Sequence, residues 1–68
     1  MIIRPAFAVS TDPKVLIGWY YLADLAREEG RMEDARADYL RYLRATGSIR
    51  DDPTVEQRRE EIRGYGVE

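Results

Sequence analysis

The chain has 68 residues, 44% of them apolar, a formal net charge of −2, and neither cysteine nor histidine. That length allows one small domain, and a core of fewer than about 70–80 residues rarely supplies more than ~3–5 kcal/mol, so tight helix packing or a second chain has to complete the stability. Without cysteine or histidine there are no disulfides, no thiolate or imidazole metal sites and none of the usual nucleophile–base pairs, and the mildly acidic balance gives no basic footprint for nucleic acid.

Residues 1–10 (MIIRPAFAVS) read as an apolar arm that Pro5 keeps out of helix, so an extended course is expected. The apolar run is short, carries a single basic residue and is interrupted by Pro5, which argues against a signal peptide. No stretch approaches the roughly 18 uninterrupted apolar residues of a membrane span. With Met1 reading as a natural start, a soluble cytoplasmic protein is the expectation.

Asp12 followed by Pro13 is a helix start: a capping carboxylate, then a residue whose fixed φ suits the first helical position. The spacing predicts a first helix over about 13–29. The segment VLIGWYYL at 15–22 has strand-like composition, but the pattern runs on through ADLAREEG without turn residues, so one helix is the simpler reading. Gly18 costs about 1 kcal/mol relative to Ala inside it. Gly30 closes it, a second helix is predicted over about 32–46 with Gly47 beyond, and Asp52-Pro53 repeats the start signal for a third over about 53–63, ended by Gly64 and Gly66.

Helical periodicity puts Val15, Trp19, Leu22 and Ala26 on one stripe of the first helix. Met32, Ala35, Tyr39, Tyr42 and Leu43 share a stripe of the second. These two stripes are expected to form the core. Ile17, Tyr20 and Tyr21 lie on the other side of the first helix among Asp24, Arg27 and Glu28. A surface of that kind is a candidate contact face, with Ile3, Phe7 and Val9 of the arm as a candidate cover. The third helix has only Val55 and Ile62 as an apolar stripe. Its remaining positions are mostly charged, and Glu56/Arg59 and Glu60/Arg63 are spaced to pair.

Trp19, Leu22, Ala23, Ala26, Gly30, Ala35 and Tyr39 together make the pattern W-x-x-L-A-x-x-A-x-x-x-G-x-x-x-x-A-x-x-x-Y. This pattern resembles a tetratricopeptide repeat, over roughly residues 16–47. The resemblance implies an all-α fold: one antiparallel helix hairpin, then a polar capping helix of the kind that ends repeat arrays. The phrase D-P-x-V recurs 40 residues apart, at Asp12 and Asp52, against about 34 in the family. Tyr42 stands where the family has a small Ala, and Gly47 where it often has Pro. By the family's register, Ile17, Tyr20, Asp24, Arg27 and Glu28 would look into a concave peptide-binding surface. Tyr20 and Asp24 occupy positions where some members hold a carboxylate with Lys and Asn, so that clamp is not expected here.

Other readings fit less well. Ala26 and Gly30 also suit the turn of a helix-turn-helix, but Glu33, Asp34 and Asp38 would then face phosphates. Capping accounts for at least one of Asp51 and Asp52, and no calcium-loop spacing follows them. Ser10 and Ser48 both fall in loops. A small structural subunit of a larger, possibly membrane-associated complex, docked through the arm, is the alternative. The sequence therefore predicts a non-catalytic interaction or assembly module with no cofactor or metal, comprising an arm (1–10) and one three-helix domain (11–68). It would act on a protein partner or on itself as a homo-oligomer. One and a half repeats fall below the about three that stack stably. If the arm covers the Ile17/Tyr20 side of its own or a neighbouring chain, deleting residues 1–9 will lower the melting temperature or change the sedimentation coefficient; a truncated chain that behaves like the full one rules this out.

Overall fold

The computed structural model describes residues 12–67, so the arm residues Ile3, Phe7 and Val9 lie outside the described residues. Three helices follow one another: α1 (Pro13–Glu28), α2 (Met32–Ala45) and α3 (Pro53–Gly64). The protein is all-α, a helix hairpin with a third helix against it. Among the described residues there is no strand.

Both Asp-Pro signals act as local chemistry requires. The Asp12 carboxylate accepts from the Lys14 backbone N–H at 2.9 Å, and Asp52 accepts from Thr54 and Val55 at 3.1 and 3.2 Å. Each prolyl residue follows directly, where its missing N–H removes no helical bond. The turn between α1 and α2 is a Schellman closure: Gly30 takes φ +79°, its N–H donates to the Arg27 carbonyl at 3.1 Å, and the Arg31 N–H donates to the Ala26 carbonyl at 2.8 Å. α2 has no side-chain cap. Instead the Arg31 guanidinium joins Glu29 at 2.6 Å to Asp34 at 3.1 Å across the turn. α3 runs one residue further than the sequence suggests. Gly64 is its last residue, and the left-handed position falls to Gly66 at φ +72°.

The core is made by Leu16, Ala23 and Ala26 of α1, Ala35, Tyr39, Tyr42 and Leu43 of α2, Val55 and Ile62 of α3, and Val67 beyond it. Three small alanines lie in the α1–α2 contact, the most extensive helix–helix contact among the described residues. The expected α1 stripe is corrected here. Val15 and Leu22 are 40% and 41% exposed, Met32 is 59% exposed, and Trp19 is half-buried at the core's edge with the Arg41 guanidinium 5.2 Å from its ring centre. The reason is the third helix. α1 packs against α2 and α3 together, so its buried arc turns toward Leu16, Tyr20 and Ala23 instead of centring on α2 alone.

α3 is attached chiefly by side chains. Val55 and Ile62 are buried, and the Arg59 guanidinium donates to the Leu43 carbonyl and, at 2.9 Å, to the Thr46 hydroxyl. That places a cation on the C-terminal carbonyls of α2, the end a helix leaves unsatisfied and partly negative. The Thr46 hydroxyl, fully buried, donates back to the Tyr42 carbonyl at 2.7 Å. The Arg36 side chain donates to the Val67 carbonyl at 3.1 Å and holds the chain's return past α3. Tyr42 is fully buried, and its hydroxyl makes no hydrogen bond among the described residues. Replacing Arg59 by Met should therefore cost about 1.5–3 kcal/mol, the range for bonds to a charged donor. Tyr42→Phe should change stability by less than about 0.5 kcal/mol or raise it slightly, because it removes a buried hydroxyl that makes no well-formed hydrogen bond and has only the Arg58 guanidinium acting on it. Urea unfolding of the two variants checks the contrast; equal losses would overturn it.

Candidate interaction surfaces

The six α1 residues expected to form one open face are divided by the fold. Tyr20 and Asp24 turn toward the other helices, while Arg27 stays exposed and reaches Asp24 and Tyr65. Tyr20 is half-buried, and its hydroxyl donates to Glu61 Oε1 of α3 at 2.8 Å. Its ring centre lies 6.0 Å from that of Tyr39 and 5.8 Å from that of Tyr42. Asp24 accepts from the Tyr39 hydroxyl and sits 3.7 Å from the Arg27 guanidinium. Arg27 in turn lies 4.5 Å from the Tyr65 ring centre. This corrects the placement of these residues opposite the α2 contact: a tyrosine of α2 bonds directly to Asp24. Tyr21 and Glu28 remain exposed, and Ile17 is half-buried.

The junction has consistent electrostatics. The Tyr65 hydroxyl, at 2.7 Å, and the Tyr20 hydroxyl both donate to Glu61 Oε1, and together they hold its carboxyl below the usual value of 4.5. Hydrogen bonding to Glu61 raises Tyr65 in return. Burial, then the bond to Glu61, pushes Tyr20 up from 10.0; burial, then the bond to Asp24, does the same to Tyr39. At neutral pH these hydroxyls stay protonated as donors and Glu61 stays charged as their acceptor. Such an arrangement locks helices together and supplies no free base.

Two grooves border the junction. One, of about 350 Å³, runs between Pro13, Lys14 and Ile17 of α1 and Thr54, Val55 and Arg58 of α3, with Asp52 at its end. The other is smaller and mostly apolar, about 180 Å³, beneath Met32 and bounded by Ala35, Tyr39, Tyr65 and Val67. Both are open to solvent along their length. Among the described residues no cluster of acidic side chains could hold a metal ion, and no helix is long and apolar enough to cross a membrane.

The surface that the sequence did not single out lies on the far side of α1. Val15, Leu22 and Leu25 are 40%, 41% and 50% exposed, and Tyr21 beside them is 60% exposed. They share the arc of the helix turned away from Leu16, Tyr20 and Ala23. The signal is present in the sequence, since α1 is apolar on nearly every side, but periodicity alone places Val15 and Leu22 toward α2 and leaves Leu25 on no face.

Comparison of the chain with protein-family models, with curated proteins and with solved structures finds no match.

The junction predicts the pH dependence of stability. Glu61 has a lowered folded value, so its contribution is complete above about 4.5 and is lost as pH falls through the lowered value. Tyr20, Tyr39 and Tyr65 have raised values, so theirs is complete below about 10 and is lost as pH rises through the raised values. Urea midpoints should be flat between these limits and fall outside both. In Tyr20→Phe/Tyr65→Phe, Glu61 loses both donors and two raised hydroxyls disappear, so both limbs should become shallower; limbs as steep as in the parent chain would refute the assignment.

Proposed function

We propose that this chain is a non-catalytic protein–protein interaction or assembly module built on a tetratricopeptide-like helix pair, and that it docks through the outer side of α1. The observation that carries the reading is the exposed apolar arc of Val15, Tyr21, Leu22 and Leu25 on a helix whose inner side is already filled. Contiguous apolar surface of this kind, rimmed by charged residues such as Lys14 and Glu28, marks interaction sites more often than it is merely tolerated. The hairpin supports the repeat-like part of the reading: Gly30 makes the tight turn, and Ala23, Ala26 and Ala35 lie where two helices approach closely. The largely polar α3 suits an end cap.

A photo-cross-linking amino acid placed at Leu25 in the native cell should give a protein adduct, whereas the same group at Arg44, on the exposed side of α2, should not. Equal labelling at both positions, or none at Leu25, would remove the basis for this docking face.

A further inference from the structure

We infer that the outer face of α1 pairs with the same face of a second copy of this chain, antiparallel and about a two-fold axis; this rests on the reading that the face is an interaction surface. The inference comes from the order of residues around the exposed arc. Val15, Gly18, Leu22 and Leu25 fall at spacings of three, four and three, the a and d positions of a helix–helix seam. Three of these four are large apolar side chains at least 40% exposed. Lys14, Tyr21 and Glu28 occupy one flank of the seam at intervals of seven, one residue before each a position.

A two-fold interface must be self-complementary: if residue i meets j, then j meets i. Set antiparallel, the seam places Val15 opposite Leu25 and Gly18 opposite Leu22, so the position without a side chain receives a large one. The same register brings Lys14 of each chain to Glu28 of the other, twice, with the two Tyr21 side chains meeting near the axis. In a parallel pairing the Lys14–Tyr21–Glu28 flanks of the two chains would lie on opposite sides of the seam, and neither Lys14–Glu28 pair could form. Charge thus selects the orientation. Both residues are exposed, and neither takes part in an ion pair within the described residues. Glu29, one residue further on, is instead held by Arg31 at 2.6 Å. The contact is as long as α1, roughly 24 Å at about 1.5 Å per residue. That is the small end of specific interfaces, so the dimer is reversible and concentration-dependent.

The test is sedimentation equilibrium of the full 68-residue chain and of K14E, E28K and K14E/E28K at low salt, with helicity checked by circular dichroism. Each single swap suits the helix dipole, an acid near the N-terminus or a base near the C-terminus, so neither should weaken α1 itself. The parent chain should show a monomer–dimer equilibrium. Each single swap puts like charges together at both symmetric contacts and should raise Kd about tenfold. The double swap restores both pairs and should return Kd to within about twofold of the parent value. A parent chain that stays monomeric, single swaps without effect, or a double swap no better than the singles would each overturn the antiparallel pairing. Cross-linking at Leu25 separates the two claims. An adduct to a different protein, with the isolated chain monomeric, discards self-pairing and keeps the docking face, whereas a monomer with no adduct discards both.

Discussion

Three of the five tyrosines, Tyr20, Tyr39 and Tyr42, fill space that aliphatic side chains would fill in most small cores, Tyr65 covers their edge, and three of these four hydroxyls end on a carboxylate. The rings run from Tyr42 through Tyr20 and Tyr39 to Tyr65, with centres 5.4–6.0 Å apart at successive steps. Two carboxylates terminate the series: Asp24 receives Tyr39, and Glu61 receives both Tyr20 and Tyr65. The Tyr65 bond is local, four residues along at the end of α3 itself, so the bond that positions the third helix is the one from Tyr20 of α1 to Glu61, with Ile62 buried beside it.

That requirement also decides which side of α1 faces inward. A helix packed against one neighbour centres its apolar stripe on that neighbour. α1 has two, so its buried arc lies between them, and Tyr20 fills the wedge where all three helices meet. Val15 and Leu22, which would serve a simple hairpin core, are turned partly into solvent. The small residues Ala23, Ala26 and Ala35 are unaffected, because they lie at the α1–α2 crossing in either arrangement.

The parts of the fold that were legible in the sequence are those governed by neighbours along the chain. Asp12-Pro13, Asp52-Pro53 and Gly30 announce the helix ends because capping and left-handed closure involve residues within a turn of one another. The facing of α1 was not legible, since a helix apolar on nearly all sides gives no unique stripe and only the position of α3 breaks the tie. Helical spacing groups Tyr20, Asp24 and Arg27 on α1 as a face for an outside chain, and the fold gives them contacts within the chain. Their partners Glu61 and Tyr65 are 41 and 38 residues away from Tyr20 and Arg27 respectively, and no local pattern links them. Met32 carried an equally misleading signal: it fits the α2 stripe by period, yet it precedes the level at which α2 has a neighbour to cover it.

Closure of the inner side bears on function. If the Tyr20 and Asp24 surface were open, a peptide could lie along α1 at that level. In this chain those side chains already have intramolecular partners, and a ligand there would first have to displace Glu61 and Tyr65, leaving a half-buried hydroxyl and a carboxylate to be satisfied anew. The outer arc of Val15, Leu22 and Leu25 carries no such cost, because covering it removes apolar surface from water and breaks no bond. Under the proposed reading, the tyrosine–carboxylate junction makes the three helices a stiff support, and association adds the buried area that a chain of this length lacks on its own. Folding and pairing then draw on opposite sides of the same helix, so α1 can be apolar all round without conflict between them.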